Sequence, residues 1–250
     1  MKDTLAPEAV APHLSGRFGT PHLYEPECES TQLLLVDSGL TEGAIATTEH
    51  QTRGRGRLGG SWDEAPGTAL LVSVLLEAPP DRRLPELSLV AALAVAETVE
   101  GATELAAQVK WPNDVMLNRR KVAGILSELV DGSVVVGIGL NVNQTRDELP
   151  RDALTEPGSL RSLTGTTYER AALLGSLLSA LERAYDIWHE DGLDGLYGEL
   201  GARDFLRGRR ITVGGEPATA VQILRDGRLE LATGAHETRA IESGEIRFER

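Results

Sequence analysis

The chain has 250 residues, 41% of them hydrophobic, a single cysteine (Cys28) and a formal net charge of −13. These figures allow one large domain, or one large and one small, and they exclude an internal disulfide or a cysteine-built metal cluster. So acidic a chain lacks the basic surface of general nucleic-acid binding; no apolar run approaches the ~18 residues of a membrane span, and MKDTLAPEAVAPHLSG has no signal-peptide core, so the cytoplasm is the expected compartment.

In chain order, Ser30 can cap a short helix over Thr31–Asp37 that ends near Gly39. Strands are expected at Ala44–Glu49 and at Thr68–Glu77, the latter apolar enough to be buried on both faces. Pro85 to Glu100 predicts a helix with Leu87, Val90, Ala91, Ala94, Val95 and Val99 on one face. Four β-like segments follow: Ala107–Trp111, Asp114–Asn118, Lys121–Leu129 and Ser133–Asn141, with a turn at Asn118-Arg119-Arg120. A second helix spans Tyr168–Glu190 and buries Leu174, Leu177, Leu178, Leu181, Tyr185 and Trp188.

After Arg203 the texture changes. Short β runs at Arg210–Val213, Ala218–Leu224, Arg228–Ala232 and Glu245–Phe248 are separated by Gly214-Gly215, Asp226-Gly227 and Ser243-Gly244, which are hairpin signals. The expected class is α/β (α+β): a mixed sheet with flanking helices in residues 1–203, then a small β-barrel-like domain in 204–250. At about 45 residues the second unit cannot bury a large core alone and is expected to pack on its neighbour.

The stretch from Gln51 to Trp62 reads QTRGRGRLGGSW and fits G-x-G-x-x-G at Gly54, Gly56 and Gly59. A dinucleotide loop must lead from a strand into a helix, whose N-terminus faces the pyrophosphate. Here the loop leads into another strand, and Gly60 stands where a P-loop would carry its lysine. Both matches are accidental. What remains is a flexible loop, Thr52–Gly60, in which glycines space three guanidiniums, Arg53, Arg55 and Arg57, each suited to phosphate or carboxylate. With few apolar anchors, it is expected to be mobile when free and to order over a bound anion.

A second signal is KWPND, Lys110 to Asp114, followed seven positions after Asp114 by Lys121 in KVAGILSE. Across a hairpin, Lys110, Asn113, Asp114 and Lys121 can approach one site. Together with GRGR…W and the downstream GIGLNVN, these motifs resemble the biotin protein ligases, in one consistent order from about Glu29 to Asn143. The small β-rich C-terminal segment also fits that family, in which it would be an SH3-like barrel.

The resemblance implies two reactions. Biotin's carboxylate attacks the α-phosphate of ATP to give biotinyl-AMP and pyrophosphate; a lysine of a biotin carboxyl carrier domain then takes the acyl group and releases AMP. Lys121 matches the lysine that contacts carboxylate and α-phosphate, and Arg55 and Arg57 match the arginines that fold over the adenylate, with Gly56 between them. Ser30, Thr31 and Gln51 match the ureido-ring contacts; Gln32 stands where many relatives carry Asn. Gly124 and Leu126 match backbone contacts beside the bicycle. Trp62 is expected to stack on adenine or to seal the loop, and Asn141 to contact adenine or phosphate. Lys110 and Asn113 fall on the ATP side, while Asp114 would orient the two lysines or help hold Mg²⁺. Trp111 reads as core. His13, His22, His50, His189 and His236 show no metal-ligand spacing.

The resemblance leaves the assembly as a monomer or weak homodimer. Only 29 residues precede Ser30, fewer than the roughly 60 of a small DNA-binding domain, so no DNA partner and no membrane partner is expected. A lipoate or octanoyl acyltransferase of the same presumed fold is the nearest alternative. A non-catalytic interaction module, with the arginine loop docking an acidic partner, is another.

Overall fold

The structure, a computed structural model, describes residues 3–36, 38–130, 132–151, 153–234 and 237–248; Asp37 and His236 lie outside them. The chain opens with helix α1 (Pro7–Val10), strand β1 (His22–Cys28), helix α2 (Thr31–Leu35), and strands β2 (Ile45–Gln51) and β3 (Ala69–Leu76). Helix α3 (Leu84–Thr103) leads to β4 (Ala107–Lys110), β5 (Asp114–Leu117), β6 (Arg120–Val130) and β7 (Ser133–Asn141). Helices α4 (Leu160–Thr164), α5 (Arg170–Asp191) and α6 (Tyr197–Arg203) then precede β8 (Arg210–Val213), β9 (Glu216–Ile223), β10 (Leu229–Ala232), β11 (Thr238–Ile241) and β12 (Ile246–Phe248).

Strands β1 to β7 form one sheet in the order β1-β2-β3-β7-β6-β5-β4, parallel only between β1 and β2. Strict alternation divides its side chains between two faces. Leu70, Val72, Val74 and Leu76 of β3, with Val134, Val136, Ile138 and Leu140 of β7, join the main core beneath α3 and α5. The predicted stripes of both helices are buried there: Leu87, Val90 and Val99 on α3, Leu174, Leu181 and Trp188 on α5. The opposite face carries α2, which packs on β2, β3 and β7 through a smaller cluster of Leu35, Ala46, Leu75 and Val135.

The C-terminal strands form a second, antiparallel sheet in the order β11-β10-β9-β8-β12. It is stitched to the first where Phe205 N–H donates to Val109 O and where the Trp111 indole donates to Gly227 O, both at 2.9 Å. Trp111 is therefore core, 1% exposed.

Candidate active site

Cross-strand register places the site on the α2 face of the large sheet. Leu71, Gly139 and Gly124 form one row across β3, β7 and β6; Ser73, Gly137 and Leu126 form the next; Leu75, Val135 and Glu128 form a third. The three glycines, Gly124, Gly137 and Gly139, remove side chains from the middle of this face, and other groups fill the space. A Cβ on Gly139 would lie 2.5 Å from the ring of Trp62, one on Gly124 3.0 Å from the same ring, and one on Gly137 3.0 Å from Gln32. Period-two glycines inside a strand mark such close approach, and Gly137 and Gly139 are site residues that the sequence reading passed over.

Lys121 reaches this face through a register fault. Between β5 and β6 the pairing shifts, Val115 facing Ala123 but Met116 facing Lys121, so Val122 is an extra residue. A bulge of this kind re-aims the side chain that follows it. Without it Lys121 would share the core side of Ala123 and Ile125; with it the ammonium joins Gly124 and Leu126. There it meets Asp114, Nζ to Oδ1 at 2.6 Å, while the other carboxylate oxygen lies 3.3 Å from Lys110 Nζ. Lys110 is buried, bonded also to Thr155 Oγ1 at 3.2 Å, and its ammonium stands 5.7 Å from the ring centre of Phe248. Burial alone would raise the Asp114 carboxyl, but Lys121 and Lys110 outweigh it and hold the group below the usual carboxylate range. The four residues Lys110, Asn113, Asp114 and Lys121 thus converge, as their spacing predicted.

At the other end of the cleft, Gln51 Oε1 accepts from Thr31 N–H at 2.9 Å and from the Thr31 hydroxyl at 3.3 Å, and that hydroxyl lies 2.8 Å from Ser73 Oγ. Gln32 donates to Leu126 O at 3.2 Å, tying α2 to β6. Ser30 occupies the N-cap position of α2 and is 2% exposed, yet its hydroxyl makes no capping bond. The expected cap is not realised, which leaves the hydroxyl for the cleft.

The arginine loop folds across the sheet face. Its limbs pair with each other, Gly56 N–H to Gly60 O at 2.7 Å and Trp62 N–H to Gly54 O at 3.0 Å. A Cβ on Gly54 would sit 2.1 Å from Trp62 O, so this close return requires glycine. The loop's own sequence offers few anchors, and the β4–β5 turn and β6 supply them. Arg57 donates to Asn113 Oδ1 at 3.3 Å; burial lowers its guanidinium pKa, and Asp114 partly counters that. Asn113 itself donates to Ile125 O at 2.7 Å. Arg55 pairs with Glu128, Nη2 to Oε1 at 2.5 Å. Glu128 stands four residues beyond Gly124 on β6, about 13 Å away at strand rise. The two loop arginines therefore serve opposite ends of the cleft. Among the described residues Arg53 reaches only Glu29, at 3.5 Å.

Two chambers result. The first is bounded by Ser30, Thr31, Gln51, Gly56, Leu126 and Gly137; the second by Asn141, Pro150, Ala153, Thr155 and Pro157; Ser61, Trp62 and Lys121 line both. Asn141 borders the second chamber with its amide already engaged, donating to Gly158 O at 3.0 Å and accepting from Gln144 at 3.1 Å. Glu128, Thr155 and Phe248 are further side chains the sequence did not disclose. Their partners lie 45 residues away or more, and nothing local marks them.

A family model described as the biotin/lipoate A/B protein ligase family matches residues 28–144. A biotin–[acetyl-CoA-carboxylase] ligase from Mycobacterium tuberculosis is 34% identical over 217 residues, covering 82% of this chain and 79% of that protein. A bifunctional ligase/repressor from Bacillus spizizenii is 33% identical over 177 residues, 67% of this chain and 54% of the relative, so the chain spans about half the length of that protein. Among solved structures, a biotin protein ligase from Aquifex aeolicus in complex with biotin and ATP is similar with a TM-score of 0.82 and 30% identity, over 92% of this chain and 98% of that one.

Proposed function

The chain belongs to the biotin protein ligase family, and from that premise we propose that it joins biotin to AMP and passes the biotinyl group to a lysine of a biotin carboxyl carrier domain. The observation that carries this reading is the position of Lys121, whose ammonium lies where the two chambers meet. The first chamber suits biotin: Ser30, Thr31 and Gln51 present hydrogen-bonding groups for a ureido ring, and Gly124, Leu126 and Gly137 give a flat apolar wall. The second suits the nucleotide, with Trp62 offering a ring face and Asn141 a polar edge.

Biotin's carboxylate and the α-phosphate must then approach each other. Two like unit charges 4 Å apart repel by ~4 kcal/mol at an effective dielectric of ~20. Lys121, supported by Arg57 and Lys110, supplies positive charge at that point and stabilises the crowded phosphorus centre as the carboxylate oxygen attacks and pyrophosphate leaves. Asp114 holds both ammoniums in place without meeting the substrates. In the second step the carrier's amine attacks the acyl carbon and AMP departs. Trp62 and the loop limit the access of water to the mixed anhydride.

Mg²⁺ fits this chain poorly as a protein-held ion. Both Asp114 oxygens are occupied by ammoniums, and no cluster of three metal-ligating side chains occurs among the described residues. The role assigned to Asp114 is therefore electrostatic. We read residues 204–250 as a small SH3-like barrel packed on the catalytic unit of residues 1–203, with the Asp226-Gly227 turn braced by Trp111 and Arg83.

The test is exchange of labelled pyrophosphate into ATP. Exchange that depends on biotin, and not on lipoate or octanoate, supports the reading. Exchange driven by lipoate would assign a related acyltransferase, and none with any acid would leave only a binding module.

A further inference from the structure

Glu128 lies on the site face of β6, in line with Gly124 and Leu126, but at the end of the cleft away from Lys121. A carboxylate there has no part in joining two anions, and facing the cleft it would repel them. Its partner is Arg55, Nη2 to Oε1 at 2.5 Å, with side chains 44% and 29% exposed for Arg55 and Glu128. Arg55 is also the residue where the loop's limbs begin to pair, bridging Ser61 across the loop. Beyond it the tip, Leu58, is 77% exposed. Among the described residues, two side-chain bonds carry the loop across the cleft: Arg57 to Asn113 in the β4–β5 turn at the reacting end and Arg55 to Glu128 on β6 at the outer end.

We propose that Glu128 is a positioning residue that clasps the arginine loop over the cleft through Arg55 and so sets how long the adenylate stays bound. Arg55 then acts as a strut between loop and sheet, and the cationic work at the reacting atoms falls to Lys121 and Arg57. The inference rests on the biotin-adenylating reading above. It makes Glu128 matter for retention of the intermediate and not for its formation. A half-exposed ion pair is worth little in overall stability but is sensitive to salt.

The experiment forms labelled biotinyl-AMP on the full-length chain, removes free substrates, and follows release into excess unlabelled biotin. Glu128→Gln should release the adenylate about threefold faster than wild type, the scale set by a partly exposed pair. It should label a bystander lysine-rich protein correspondingly faster, with biotin-dependent pyrophosphate exchange within about twofold of wild type. Raising the salt should speed release from wild type more than from the variant and so narrow the gap between them, a response that a packing role for Glu128 would not give. Glu128→Asp should restore part of the retention. Release from Glu128→Gln at the wild-type rate and salt dependence would overturn the clasp, as would loss of exchange in that variant equal to its loss of retention. Wild-type protein without biotin-dependent exchange would instead overturn the function on which the proposal stands.

Discussion

The carboxylate of Asp114 sits 2.6 Å from the ammonium of Lys121 and is shared with Lys110, the three residues coming from the adjacent strands β5, β6 and β4. Replacing it, as in Asp114→Asn, leaves two ammoniums facing each other with no counter-charge. Breaking a buried pair this way costs about 3 kcal/mol or more, which urea denaturation at neutral pH should register. The folded Asp114 carboxyl is held low because the two lysines outweigh the effect of burial. Its stabilisation is therefore complete above the unfolded carboxylate's value of about 3.9 and fades as pH falls through the lower folded value. The stability gap between wild type and Asp114→Asn should narrow below about pH 4. A gap unchanged down to pH 2 would contradict this account.

Lys121→Ala should abolish most single-turnover formation of biotinyl-AMP, since the charge at the junction of the chambers is lost. Lys121→Arg should recover only part of it, because a planar fork replaces a point charge at a bulge that aims one chain direction. Formation at the wild-type rate in the alanine variant would refute the role.

Ser30, Thr31 and Gln51 belong to the first chamber, so their alanine variants should raise the KM for biotin well above any change in the KM for ATP. For Ser30→Ala the structure adds a second expectation. No capping bond is made, so helix α2 should lose less than the ~1 kcal/mol of a broken cap. A melting loss of that size with equal effects on both substrates would return Ser30 to a structural part.

Gly139→Ala places a methyl group 2.5 Å from the Trp62 ring, which must move. Overpacking of this kind costs roughly 1–3 kcal/mol, and here the strain falls on the wall between the chambers. Pyrophosphate exchange at subsaturating ATP should drop by about tenfold while the far-UV spectrum stays that of wild type. Wild-type exchange in this variant would mean that the ring's place against β7 is unimportant.

How much of this was legible in the sequence varied with whether the cause was local. The long helices, β2 to β10 and β12 showed through their periodicity and turn signals, and Lys110, Asn113 and Asp114 came together because the tight β4–β5 hairpin fixes its own register. Strand β1 did not show: it carries Pro26 and alternates poorly, tolerable because it is an edge strand paired on one side. Strand β11 was hidden for a like reason, its side chains being largely exposed. The bulge at Val122 left no mark in composition, although it decides which face Lys121 joins. Glu128, the partner of Arg55 73 positions on, carries no local signal that sets it apart from any surface glutamate.

Of the chain's three tryptophans, Trp111 and Trp188 are walled in at 1% and 0% exposure, whereas Trp62 lines both chambers. Packed surroundings fix the fluorescence of the first two. A change in emission colour or intensity when a small molecule enters the cleft therefore belongs to Trp62. The partition between the chambers doubles as an intrinsic optical reporter, and the unlabelled wild-type chain can signal its own occupancy in real time.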